Sequence, residues 1–212
     1  MRHFTHNEAG AGHANEDFAL AQPHPADERV LLRALADRQG GRSGGREAAQ
    51  MAAQSALLYL TGQTPDALVE PYEWLIAAEK ADDAVCRDAE AGFTALVLCG
   101  VTAAGVCGVS CGDSAAVFWD GNKSLILTEE QRKKPPVGSG GANLTPFVVE
   151  AAALWRLLLM SDGVWKYAGW AAVESALKDL SGQHLLLHLR DVVKQRNGGI
   201  LPDDFTAVLL ES

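Results

Sequence analysis

Five acidic sites stand where an apolar run starts or stops. Asn15-Glu16-Asp17 comes just ahead of "FALA", Asp37 directly follows "VLLRALA", Asp113 comes just after "GVCGVSC", Asp162 follows "LLLMS", and Asp203-Asp204 precede "FTAVLL". A carboxylate at the end of a buried strand is held at the rim of a sheet, where groups far apart in sequence can meet on a rigid scaffold. Aspartates without His or Cys suit hard divalent cations such as Mg²⁺ and Mn²⁺, which take oxygen ligands and keep some water. In "LLLMSDGVWKY" (157–167), Gly163 is expected to let the chain turn sharply and leave Asp162 facing such a cluster. Taken singly, Asp before Gly after a strand is more often a turn residue, because its side chain hydrogen-bonds its own backbone. Spacing alone leaves both readings open.

The elements that must position these residues follow from periodicity. Apolar, partly β-branched runs bounded by Gly, Asp or Pro predict strands over 18–21, 30–36, 93–99, 105–111, 115–119, 124–127, 157–160 and 205–210. Asp120-Gly121 between two of them predicts an antiparallel hairpin, since both residues tolerate positive φ. Helical spacing covers 46–60, a stretch from Thr64-Pro65-Asp66 to about Ala84, and 168–180 and 183–196. The glycine-rich stretches at 40–45 and 138–141 read as loops. Strands outnumber helices and the helices come in consecutive pairs, so a doubly wound parallel sheet fits poorly. An α+β fold, a β-sandwich with a helix pair on each face, fits better.

Composition narrows the function classes. No Pro/Ser-rich linker divides the 212 residues, which read as one domain over 1–212. Net charge of -9 argues against nucleic acid, whose phosphates are bound by clustered Lys and Arg, and in favour of a cation. No run reaches the ~20 apolar residues of a membrane helix and the N-terminus lacks a secretion signal, so a cytoplasmic protein without a membrane partner is expected. Cys86, Cys99, Cys107 and Cys111 contain no CxxC pair and are expected to be free thiols.

The ordered set "NED" (15–17), "ADRQGG" (36–41), "GFTA" (92–95), "CGDS" (111–114), "MSDGVW" (160–165) and "PDDFTAVLL" (202–210) resembles the metal-dependent (PPM, type 2C) Ser/Thr protein phosphatases, as a compact bacterial-type member. Each piece is short, but six occur in the family's order over nearly the whole chain. The resemblance implies a four-layer αββα sandwich: two antiparallel sheets flanked by antiparallel helix pairs. It also implies two Mg²⁺ or Mn²⁺ ions and a third in many members. By position, Asp37 resembles the aspartate bridging two ions, with the Arg38 backbone carbonyl as a further ligand. Asp162 and Asp203 resemble the other carboxylates of the second ion, Asp17 holds metal-bound water beside Glu16, and Asp113 with Asp162 resembles the third site. The implied reaction is hydrolysis of phosphoserine and phosphothreonine by in-line attack of a metal-bridging water or hydroxide, with Asp37, Asp162, Asp203 and Asp17 catalytic.

Two departures bear on substrate binding. The family's "DGxGG" is "DRQGG" here, and Arg38, bearing a Cβ, takes positive φ less cheaply than glycine, so the loop is expected to be reshaped. Gln39 cannot act as a general acid where some members carry histidine. No arginine stands in "GAGHANED" just ahead of the acidic pair, leaving His13 or Arg38 to meet the substrate phosphate. In the segment "EEQRKKPPVGSGG", Arg132, Lys133 and Lys134 could steer acidic substrates, although three charges in a loop are more often a solvated face. His184 and His188 lie four apart but lack the glutamate of H-E-x-x-H, and "GGRSGG" lacks the Lys-Ser/Thr of a P-loop. The leading expectation is an active monomeric phosphatase acting on a phosphorylated protein, a Ser/Thr kinase or its targets. The alternative is a catalytically weak phosphatase-like module that binds a phosphoprotein or kinase.

Overall fold

The computed structural model describes residues 1–40, 43–151 and 153–212; Gly41 and Arg42 of the expected glycine loop lie outside the described residues. In chain order the elements are β1 (Arg2–Glu8), β2 (Phe18–His24), β3 (Asp27–Gln39), α1 (Gly45–Leu60), a 3-10 turn (Pro65–Val69), α2 (Pro71–Arg87), β4 (Phe93–Val101), β5 (Gly105–Cys111), β6 (Ala115–Trp119), β7 (Ser124–Ile126), β8 (Thr145–Glu150), β9 (Arg156–Met160), α3 (Asp162–Ala168), α4 (Trp170–Asp179), α5 (Gly182–Arg196) and β10 (Phe205–Glu211). The protein is α+β: every strand pairing is antiparallel, in two five-stranded sheets ordered β2-β3-β4-β5-β8 and β1-β10-β9-β6-β7. The chain divides into two compact units, one of residues 17–114 and 127–151 and the other of 1–16, 115–126 and 152–212.

In the first unit, alternation along β3 sends Leu32, Ala34 and Ala36 into the core beneath α1 and α2, and therefore Arg33, Leu35 and Asp37 to the sheet's other face. The α1 face is almost all alanine (Ala48, Ala49, Ala52, Ala53, Ala56), which lets the helix lie close to the sheet and to Ala77, Ala78 and Ala81 of α2. Trp74 of α2 is fully buried, its indole N–H donates to the Leu68 carbonyl, and its ring lies against bare Gly100 of β4. In the second unit, Leu158, Met160, Leu209 and Phe205 of β9 and β10 pack with Leu185, Leu186 and Leu189 of α5.

Three expectations fail for local reasons. The single helix expected after residue 64 is a 3-10 turn followed by α2, because Pro71 has no N–H to continue a helix but is well suited to start one. The helix expected from 168 is preceded by α3 and begins anew after Gly169, whose φ of 78° ends the turn, so three helices stand where a pair was expected. Strands β1 and β8 were not expected, since "RHFTHNE" is largely polar and "TPFVVE" carries a proline; both lie at sheet edges, where such residues are tolerated. The hairpin at Asp120-Gly121 forms as expected, joining β6 to β7, with Gly121 at φ 94°. Among the described residues no helix is long and apolar enough to cross a membrane.

Candidate active site

In the first unit, the antiparallel register brings three of the five acidic sites to one end of one sheet. Phe18 pairs with Ala36, so Asp17 falls beside Asp37; Asp37 pairs with Ala95; and Cys111 pairs with Leu96, so Asp113 lies just past the same end. Asp17 and Asp37 are each only 7% exposed. The Asp37 carbonyl accepts the Thr94 hydroxyl at 2.8 Å, which fixes the end of β3 against the start of β4. Gly112 turns the chain with φ 116°, and a Cβ there would overlap Ala95.

The second unit does the same with Asp162, Asp203 and Asp204. Ser161 extends the β9–β10 pairing: its N–H donates to the Thr206 carbonyl at 2.9 Å, and its hydroxyl accepts the Thr206 N–H at 3.1 Å. The helix α3 then begins at once on Asp162. Gly163 therefore does not make the sharp turn expected of it. Its φ is not positive; instead a Cβ would overlap the Asp204 carbonyl oxygen and lie 3.2 Å from Asp203 Cβ, so glycine is needed for close approach. Lys166, one turn along α3, donates to Asp162 Oδ2 at 2.5 Å.

Asp204 has a part that its position beside Asp203 does not reveal. It is 5% exposed and accepts the backbone N–H groups of Gly10 at 2.8 Å and Glu16 at 2.7 Å, fastening both ends of the loop that carries His13. Asp203, partly exposed, accepts the Asp204 N–H at 3.0 Å. His13 is exposed, with Nδ1 3.5 Å from Asp204 Oδ1. Its pKa is raised, first by the hydrogen bond to the Ala14 carbonyl and then by the charges of Asp204, Asp203 and Glu16. The only sequence sign of this duty was the doubling of aspartate, since one of two neighbours in a strand-like run must face inward.

A profile of the family Stage II sporulation protein E (SpoIIE) matches residues 34–212. The chain belongs to the SpoIIE family. No curated protein matches it in sequence. Its fold is that of a bacterial serine phosphatase, with TM-score 0.82 and 18% identity over 100% of this chain and 97% of the other. The PPM Ser-Thr phosphatase MsPP from Mycobacterium smegmatis, in complex with cacodylate, gives TM-score 0.75 and 21% identity over 99% and 97% of the two chains. RsbX in complex with magnesium gives 0.72 and 13% over 98% and 92%.

At Arg38 itself this SpoIIE-family chain keeps an ordinary strand backbone. Among the described residues no non-glycine residue has positive φ, and β3 runs straight through Arg38 to Gln39. The Arg38 stem lies against Gly45, where a Cβ would come within 2.8 Å of Arg38 Cδ, so the glycine missing from the loop is compensated by one at the start of α1. Gln39 is 5% exposed and donates Nε2–H to the Lys133 carbonyl at 2.9 Å, a structural duty in place of acid catalysis. Lys133 in turn donates to Asp113 Oδ2 at 2.5 Å. His184 and His188 are exposed on α5, and Cys111 is a buried strand residue, as expected.

The donor set was tested against a cation by its chemistry. Asp17 and Asp37 in one unit and Asp162 and Asp203 in the other offer oxygen only, which fits a hard divalent ion. Among the described residues no three His, Cys, Asp or Glu side chains already surround one point. Asp113 and Asp162 each already bear an ammonium group on the carboxylate, Lys133 on the first and Lys166 on the second, and Lys133 is set apart in that its carbonyl is bound by buried Gln39.

Proposed function

We propose that this chain is a Mg²⁺- or Mn²⁺-dependent phosphatase that removes phosphate from serine or threonine of a phosphorylated protein. The observation that carries the reading is a family match over residues 34–212 together with aspartates at sheet ends in both units, buried in the first (Asp17, Asp37) and partly buried in the second (Asp162, Asp203). In this reading Asp37, Asp17 and the Arg38 carbonyl would be cation ligands in the first unit, and Asp162 and Asp203 would be cation ligands in the second. Ions held by oxygen donors supply Lewis acidity toward water and toward the phosphoryl group. The chain's own contribution is positional. Thr94 fixes the carbonyl of Asp37, Asp204 frees Asp203 from capping duty, and Gly163 lets Asp162 sit close to residues 203–204. His13 and Arg38 are the cationic candidates for the substrate phosphate, and Asp113 stands where the resemblance places a third cation. The physiological setting proposed is a cytoplasmic monomer opposing a Ser/Thr kinase.

The test is hydrolysis of p-nitrophenyl phosphate and of a phosphothreonine peptide with EDTA, Mg²⁺ or Mn²⁺, beside Asp37→Ala. Turnover that needs metal and that the variant loses supports the reading, and a higher kcat/KM on the peptide supports a protein substrate. A folded protein inert with every metal overturns it in favour of a phosphoprotein-binding module.

A further inference from the structure

The segment 131–137 is tied to the end of the first unit's sheet at five of its seven residues. Gln131 donates Nε2–H to the Ser114 carbonyl at 2.5 Å, Gly112 donates its N–H to the Arg132 carbonyl at 3.1 Å, and buried Gln39 donates to the Lys133 carbonyl at 2.9 Å. Cys111 Sγ lies 3.4 Å from the Pro135 carbonyl, and Val137 exchanges both backbone hydrogen bonds with Thr94, at 3.1 and 3.2 Å. A solvated basic loop needs no such lacing.

Its effect is to aim one lysine. With the backbone held on both sides, the Lys133 ammonium group sits 2.5 Å from Asp113 Oδ2, and the Asp113 side chain is only 16% exposed while that of Lys133 is 53% exposed. A lysine whose main chain is already fixed loses less freedom on forming a charge-assisted bond than one on a mobile loop. A divalent ion at Asp113 would have to displace this group or sit against a like charge.

We propose that Lys133 takes the place of a third cation at Asp113, so that this chain works with two metal ions and a fixed internal ammonium group. The proposal rests on the metal-dependent reading given above, but it assigns to Lys133 a positioning part that the basic run Arg132-Lys133-Lys134 does not suggest. Its neighbours carry equal charge, yet only the middle residue is brought to the carboxylate. The third position is thereby insensitive to metal concentration, whereas a weakly held ion would come and go.

The test counts ions rather than turnover. Purified full-length protein is titrated with Mn²⁺, and the free ion is followed by its electron paramagnetic resonance signal. The expected result is two ions for the wild type, a third and weaker one for Lys133→Met, and two again for Lys133→Arg, which keeps the charge, and for Lys133→Met combined with Asp113→Asn. Lys133→Gln serves as a second neutral variant with the same expected count as Lys133→Met. Three ions on the wild type, or no additional ion on either neutral variant, overturns the proposal and leaves the metal-dependent reading intact. No bound Mn²⁺ in any of these proteins overturns both.

Discussion

Gly163→Ala is the substitution that most directly tests how the second unit places its aspartates. Gly163 is the second residue of α3 and its φ is not positive, so by helix propensity alone alanine should stabilise the protein by up to about 1 kcal/mol. Against this stands the overlap of the new methyl group with the Asp204 carbonyl oxygen. That atom is main chain, fixed by its place at the head of β10, and cannot swing away as the tip of a side chain would. Overpacking of this kind costs ~1–3 kcal/mol, so the clash exceeds the propensity gain and a net loss of roughly 1–2 kcal/mol is expected. For a chain of this size that is a fall in Tm of about 2–8 °C. Gly141→Ala is the control: its Cβ would have no neighbour within 4 Å, and its Tm should stay within about 2 °C of wild type. In the same preparation, turnover of p-nitrophenyl phosphate by Gly163→Ala should fall by as much as about 10²-fold, because Asp162 and Asp203 both move with the displaced segment. A Tm equal to or above wild type would show that the helix start yields at no cost, and the close-approach argument would fail.

Asp204→Ala removes the acceptor of two backbone N–H groups, those of Gly10 and Glu16, and should cost roughly 2–4 kcal/mol in urea unfolding, with Asp204→Asn costing less because it keeps an acceptor. Equal midpoints for Asp204→Ala and wild type would refute the fastening role. Burial pushes the thiols of Cys99 and Cys107 up to about 12 and that of Cys111 up to about 11, while Cys86 is exposed. Near pH 8 a disulfide reagent should therefore find one thiol in native protein and four in denatured protein. These raised values also give stability its sign: the fold favours the neutral thiol, so the contribution is complete below the unfolded value of 9.0 and is lost as pH rises toward about 12. A melting temperature that rises between pH 9 and 11 would contradict it.

Much of the fold was legible because core strands and long helices announce themselves by period. The strands over 105–111 and 115–119 have the expected bounds, and α1 and α5 differ from expectation by a residue. Two of the four edge strands were not legible, since β1 and β8 need no continuous apolar run when one side meets solvent. Nor was α3: in "SDGVWKYA" a strand, a turn residue and a short helix share adjacent positions, and the helix is too short to show a period. At the site, strand-end aspartates could be picked out one by one, but the exchange of duties among neighbours could not. That Asp204 caps a loop while Asp203 does not, and that Lys133 rather than Arg132 or Lys134 meets Asp113, depends on contacts spanning up to 194 residues.

The pairing of β1 with β10 sets an order of events during synthesis. Residues 2–8 leave the ribosome well before their partners, 205–211. The first unit ends at residue 151, so Asp17, Asp37 and Asp113 can reach their places while the second sheet still lacks its middle strand. The waiting strand, "RHFTHNE", is mostly polar and offers little to aggregate with in the interval. A nascent chain would thus carry Asp17, Asp37 and Asp113 in position before Asp162 and Asp203 have been made.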